Sequence, residues 1–148
     1  MTVTDTEPLD ATDALNIALA STHAAVHGYG FVGAHATDED RDRATEDLDA
    51  HRTQRDLLRE AVLDRDGDPV PAESTYPIPA DTDATSLAEF AAELERAVGE
   101  SVLQLVGASD VTARELGYAA LQQATVRRLR WEANPPVFPG YPQDARPV

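Results

Sequence analysis

The chain has no cysteine and no lysine, and only one tryptophan and one methionine. Without cysteine there can be no disulfide, no zinc–thiolate site and no thiol nucleophile. That absence also fits a reducing cytoplasm. No stretch approaches the ~18 apolar residues that a membrane span requires. Residues 1–10 are polar and acidic, with neither the basic start nor the apolar run of a secretory signal. Basic charge is scarce: 12 arginines face 27 acidic side chains, for a net charge of -15. Such a surface repels nucleic acid and anionic membranes, so neither is an expected partner and a cytoplasmic location is. Its simplest role is to keep the chain solvated and apart from its neighbours. There is no internal repeat, no glycine-rich phosphate loop after a strand, and no sustained strand alternation.

What the sequence does contain is helical periodicity over most of its 148 residues, enough for one domain with its own core. The most informative stretch is 47–63. Leu48, His51, Arg55, Leu58 and Val62 are spaced three, four, three and four apart and share one helix face. That places a histidine and an arginine on the stripe expected to face the core. A first helix should span about 10–35, on the line Leu15, Leu19, Thr22, Val26, Tyr29 and Gly33. Gly28, Gly30 and Gly33 near its end suggest close approach of a neighbouring helix. The second helix should run over about 40–64, after a break too short for anything but an antiparallel hairpin.

Residues 64–83 carry Pro69, Pro71, Pro77 and Pro79 and should be neither helix nor central strand. A segment of that length can travel the full length of a bundle. A third helix over 84–106 has the core line Leu87, Ala91, Leu94, Val98, Ser101 and Leu105, with Gly107 as its C-cap. Thr112 and Glu115 read as a capping box for a fourth helix that ends near 131–132. That helix is apolar over much of its surface, so the pattern does not choose its inward face. The expected organisation is a disordered lead (1–10), an all-α four-helix bundle (11–133) and a proline-rich tail (134–148). Short, long and short connections are the ferritin-like order of a four-helix bundle.

Three segments carry a resemblance. They are Ala20-Ser21-Thr22-His23-Ala24-Ala25-Val26-His27-Gly28-Tyr29-Gly30, His51-Arg52-Thr53-Gln54-Arg55-Asp56-Leu57-Leu58, and Trp131 onward to Phe138-Pro139-Gly140. Together they resemble the small ferritin-like domain of unknown function common in actinobacteria. The resemblance covers about 10–141, implies a ferritin-like bundle, and implies no established activity. Metal-binding ferritin-like proteins take a Glu from helix 1, Glu-x-x-His from helix 2, a Glu from helix 3 and Glu-x-x-His from helix 4. Carried over, the helix 1 position is Thr22. His51 matches a histidine, with Leu48 three residues before it. On helix 3, Glu93 and Glu100 flank the core line, and helix 4 has no histidine. One ligand of the set survives.

A di-iron or di-manganese centre needs several carboxylates, which Thr, Leu, Ser and Gln cannot replace. The expectation is therefore a lost metal centre. An interior polar layer of Thr22, His51, Arg55, Ser101 and Gln123 should remain, with Arg55 paired to Glu93 or Glu100. Tyr29 and Tyr118 should be core residues with bonded hydroxyls. No catalytic residue and no cofactor is assigned. The chain is expected to be a structural or interaction module, a homo-oligomer and most simply a homodimer through an apolar helix face. One alternative is a metal-binding protein or oxidoreductase using Fe or Mn at an atypical site of His23, His27, His51, Glu93 and Glu100. Another is a small-ligand-binding bundle with the polar layer at its specificity end.

Overall fold

A computed structural model of the chain describes residues 9–132. The expected disorder before residue 9 and tail packing through Phe138 and Tyr141 lie outside the described residues. Helix α1 spans Ala11–His35, with Asp13 favourably placed in its first turn. Its buried line is Leu15, Ala18, Leu19, Thr22, Ala25, Tyr29 and Val32. Helix α2 spans Asp38–Leu63 and starts behind Thr37. It ends in a Schellman turn: Gly67 N–H reaches Val62 O (3.0 Å), Asp66 N–H reaches Leu63 O (3.0 Å), and Asp66 takes φ 56°. Gly67 is required there, because a Cβ would meet Thr12 Cγ2 of α1 at 2.6 Å.

The proline-rich connection between α2 and α3 is not helical. It lies along α1. Asn16 donates to Asp68 O (3.0 Å) and accepts from Val70 N–H (2.9 Å), His23 Nε2 contacts Val70 O (3.0 Å), and His27 packs on Tyr76. Helix α3 spans Ala84–Ser101, capped by Asp83, whose carboxylate accepts from Ser86 N–H at 3.0 Å. The expected continuous third helix is interrupted. Ser101 Oγ bonds back to Val98 O (2.7 Å), and a short α4, Leu103–Val106, follows after Val102. Helix α5 spans Val111–Trp131, with Asp110 as its N-cap, accepting from Ala113 N–H at 2.9 Å. The capping box expected from Thr112 and Glu115 does not form, since Thr112 already lies inside the helix.

Pairings across the bundle fix the topology. Thr22 meets Gln54 and Tyr29 meets His51, so α2 runs antiparallel to α1. Gly28 faces Leu94 and Phe31 meets Phe90, with Tyr29 bonded to Glu95, so α3 is antiparallel to α1 and parallel to α2. The long connection makes that parallel step possible. The described residues thus form an all-α four-helix bundle, with α4 as an offset last turn of the third helix. No helix among them is long and apolar enough to cross a membrane.

The core has two apolar clusters. One gathers Leu15, Leu19, Leu58, Val62, Val102 and Leu105; the other gathers Tyr29, Val32, Leu87, Val98 and Trp131. Thr22, Gln54, His51, Glu95 and Arg127 are buried where α1, α2, α3 and α5 meet beside them. Of the three α1 glycines, only Gly28 is pressed by a neighbour: a Cβ there would lie 2.4 Å from Leu94 Cδ1, whereas Gly30 has open space. At Gly117 of α5 it is backbone that is approached: a Cβ there would meet Leu105 Cβ at 2.6 Å and Val106 N at 2.9 Å. Gly117→Ala should therefore cost about 1–3 kcal/mol by pushing α4 outward. Gly30→Ala should add about 0.5–1 kcal/mol. Urea titrations of the two variants check the opposite signs.

Candidate functional site

The interior polar group is organised by Glu95, on the buried line Leu87, Ala91, Glu95 and Val98 of α3. One carboxylate oxygen, Oε1, accepts from Tyr29 OH of α1 at 2.6 Å, from His51 Nε2 of α2 at 2.8 Å and from Arg127 Nε of α5 at 2.9 Å. A single atom thus joins all four long helices. The geometry requires the proton of His51 to sit on Nε2, because the carboxylate only accepts. Glu95 Oε2, His51 Nδ1 and Arg127 Nη2 are buried with no partner among the described residues.

Two neighbours extend the network. Trp131 Nε1 donates to Asp47 Oδ2 at 2.7 Å, and Asp47 lies one turn before His51 on α2. The Arg43 guanidinium lies 5.1 Å from the Trp131 ring centroid and bonds Arg130 O, which holds the end of α5 against α2. On the other side, Gln54 Nε2 donates to Thr22 Oγ1 (2.9 Å), and Thr22 in turn bonds Ala18 O (2.8 Å). Burial pushes the Glu95 carboxyl up, but His51, Arg127 and Tyr29 together hold it below its ordinary range. For Asp47, burial outweighs the Trp131 N–H and raises its pKa. Burial, and then the negative charge of Glu95, hold the Tyr29 phenol well above its usual value, so it stays protonated.

The expected polar layer needs redrawing. Thr22 and His51 are fully buried, although they bond to different partners. Arg55 is not in the core: it is half-exposed and pairs with its neighbour Asp56 (3.0 Å). Gln123 faces solvent, and half-buried Ser101 bonds its own helix. Glu93 and Glu100 are exposed and both pair with Arg96 rather than with Arg55. His23 is half-buried against the crossover, and His27 is exposed beside Tyr76, so neither joins His51 and Glu95. Tyr29 is a core residue with a bonded hydroxyl, whereas Tyr118 is 55% exposed. Glu95, Arg127, Asp47 and Gln54 occupy the interior instead. No three His, Cys, Asp or Glu side chains among the described residues converge so as to hold a metal ion.

Tyr29, His51 and Glu95 are at most 1% exposed. A cleft of about 290 Å³ between α3 and α5 touches Glu95 from outside, but Arg96, Glu100 and Arg128 at its edge are engaged in surface ion pairs. Chemically, the arrangement is a charge-assisted lock between helices.

Removing one partner of a buried ion pair strands the other. Arg127→Met should therefore cost about 3–5 kcal/mol, and the double variant Glu95→Leu/Arg127→Met should recover much of it. A double-mutant cycle measured by chemical denaturation checks this. Arg55→Ala should stay within about 0.5 kcal/mol of the parent.

The two buried carboxylates act oppositely on stability against pH. Glu95 has a lowered pKa in the fold. Its contribution is full above its ordinary value near 4.5 and is lost as pH falls through the lower folded value. Asp47 has a raised pKa. Its contribution is full below its ordinary value near 3.8 and is lost as pH rises through the folded value. Asp47→Asn should therefore gain stability relative to the parent as pH rises above the ordinary aspartate value near 3.8, read from urea midpoints at a series of pH values.

Comparison with known proteins is consistent with this architecture. The family model described as "Domain of unknown function (DUF4439)" matches residues 14–143. A conserved hypothetical protein, rv2844, from Mycobacterium tuberculosis superposes with a TM-score of 0.76 and 27% identity, covering 82% of this chain and 94% of its own. The dodecameric thioferritin of Bacteroides fragilis, a bacterioferritin-related protein, superposes with a TM-score of 0.75 and 18% identity, covering 84% of each chain. At that identity the likeness establishes the fold, which is ferritin-like. No curated protein matches the chain. The chain belongs to the DUF4439 family of ferritin-like four-helix bundles, a family of unknown function.

Proposed function

We propose that this protein is a ferritin-like bundle in which an internal ion network stands where relatives of the fold carry a di-metal carboxylate centre, and that it works as a structural or interaction module. The observation behind this reading is that Arg127 donates to Glu95 at 2.9 Å in the middle of the bundle. A guanidinium is permanently charged, and at that distance it supplies the positive charge that metal cations would otherwise bring.

The donor set supports the same reading. The buried side chains at this level of the bundle are Thr22 on α1, His51 and Gln54 on α2, Glu95 on α3, and Ala124 and Arg127 on α5. With His51 matched to the histidine of Glu-x-x-His, Leu48 stands at the Glu position, and the last helix has no histidine. One carboxylate remains in this set, and its Oε1 already accepts three hydrogen bonds. The other buried carboxylate, Asp47, is bonded to Trp131. These residues do not fit two bridged cations, which need several free carboxylates.

Elemental analysis tests the reading, on protein expressed with added iron and manganese and purified without a histidine tag or chelator. Substoichiometric metal, unchanged by His51→Ala and by Glu95→Gln, is the expected result. A stoichiometric complement of iron or manganese that disappears in either variant would overturn it and make the chain a metal-dependent protein.

A further inference from the structure

Helix α5 is packed inside out by size. Its buried face carries Ala113, Gly117, Ala120 and Ala124, with Arg127 and Trp131 at the far end. Its opposite face carries Val111, Tyr118, Val126 and Leu129, which are between 45% and 55% exposed. Leu103 of α4 is equally exposed and lines the same cleft as half-buried Leu121. Half of the large exposed hydrophobic side chains among the described residues therefore belong to α4 and α5. A helix that hides its small residues and displays its large ones is suited to a second packing partner.

Charge narrows the choice of partner. The chain carries -15 overall, yet outside the bundle α5 holds Arg114, Arg128 and Arg130 against Glu115 alone. Two copies of so acidic a chain repel each other, and the outer face of α5 is where that repulsion is weakest. The apolar stripe runs through Val111, Glu115, Tyr118, Gln122, Val126 and Leu129. Pairing it antiparallel with itself about Gln122 sets Tyr118 level with the partner's Val126, and Val126 level with the partner's Tyr118. The same pairing brings Glu115 beside the partner's Arg130 and Arg114 beside the partner's Glu132. Opposite charges thus meet on both flanks while the apolar residues meet in the centre, as in an isologous two-fold contact.

We propose that the outer face of α5 is the docking surface for a second copy of this chain, packed antiparallel across a two-fold axis at Gln122. This deepens the interaction-module reading by naming its partner and its surface. Because net repulsion opposes the contact, association should strengthen as salt is added.

The test is sedimentation equilibrium of the full chain at about 100 µM, a concentration at which a micromolar dimer is nearly saturated. A dimer is expected for the parent and for Leu57→Arg, which puts a charge on an exposed apolar site of α2. Val126→Arg and Leu129→Arg should weaken it at least about 100-fold, as when a charge enters a desolvated contact. Because the chain has no cysteine, single-cysteine variants give a second, independent measurement. A short bis-maleimide should cross-link Gln122→Cys into covalent dimers and leave Thr53→Cys, on α2, without cross-links.

A monomeric parent, a dimer that survives Val126→Arg, or equal cross-linking at Thr53 and Gln122 would each overturn the proposal. A heavier closed oligomer that persists in Val126→Arg would do the same. The metal analysis is independent of all these outcomes, so failure of the dimer and failure of the metal-free reading are separately visible.

Discussion

One carboxylate oxygen constrains the whole bundle. Glu95 is buried at the centre, and its Oε1 takes a hydrogen bond from each of the other three long helices. An ionised carboxylate in an apolar interior costs several kcal/mol unless it is paired, and here Oε1 carries all of the pairing while Oε2 has no partner among the described residues. Any slip of α1, α2 or α5 along its axis would withdraw a donor and leave that cost exposed. The two apolar clusters on their own would tolerate several registers, since leucine, valine and alanine exchange neighbours at little penalty. The ion network removes that freedom by making one register electrostatically acceptable.

The other specific contacts hold the same register from the periphery. Asn16 and His23 fasten the crossover to α1, which fixes the path from the end of α2 to the start of α3. Arg65 reaches Asp110, the N-cap of α5, at 2.6 Å and so ties the end of α2 to the start of the last helix. At the far end, Asp47 and Arg43 clasp Trp131. Each pin joins elements distant in sequence and places a polar group where only one partner can satisfy it. Gly117 does the same by steric means, through close contact with α4.

Helix order, the crossover and the bundle class were legible because proline and helical periodicity are local signals. The site was legible only in part, and the reason is geometric. On α2, His51 and Leu58 lie inward under either of two faces, one through Leu48 and Arg55, the other through Asp47 and Gln54. The apolar Leu48 favours the first; the fold uses the second, because Trp131 answers Asp47 and Thr22 answers Gln54. On α3, the choice of Leu94 over Glu95 failed for the same reason. A carboxylate is assigned to the surface until three donors on other helices are known, and those donors are remote in sequence. A signal for Arg127 was present: Ala113, Gly117, Ala120, Ala124, Arg127 and Trp131 keep a strict four-three spacing. Those positions are mostly small rather than strongly apolar, and larger residues compete from the opposite face.

That opposition on α5 links the interior to the exterior. Small inward residues let α5 lie close against α3 and α4, and this closeness brings the short reach of Arg127 Nε to Glu95. Had the inward positions carried leucine, the helix would sit farther out and the guanidinium would be drawn toward solvent. Building the ion network thus removes large apolar residues from the inner face of α5. Their presence on the outer face is not needed for the network, and it carries a desolvation gain only when that face is covered. The same helix therefore combines a fixed internal lock with an unspent external surface, and the first can persist whether or not the second is filled.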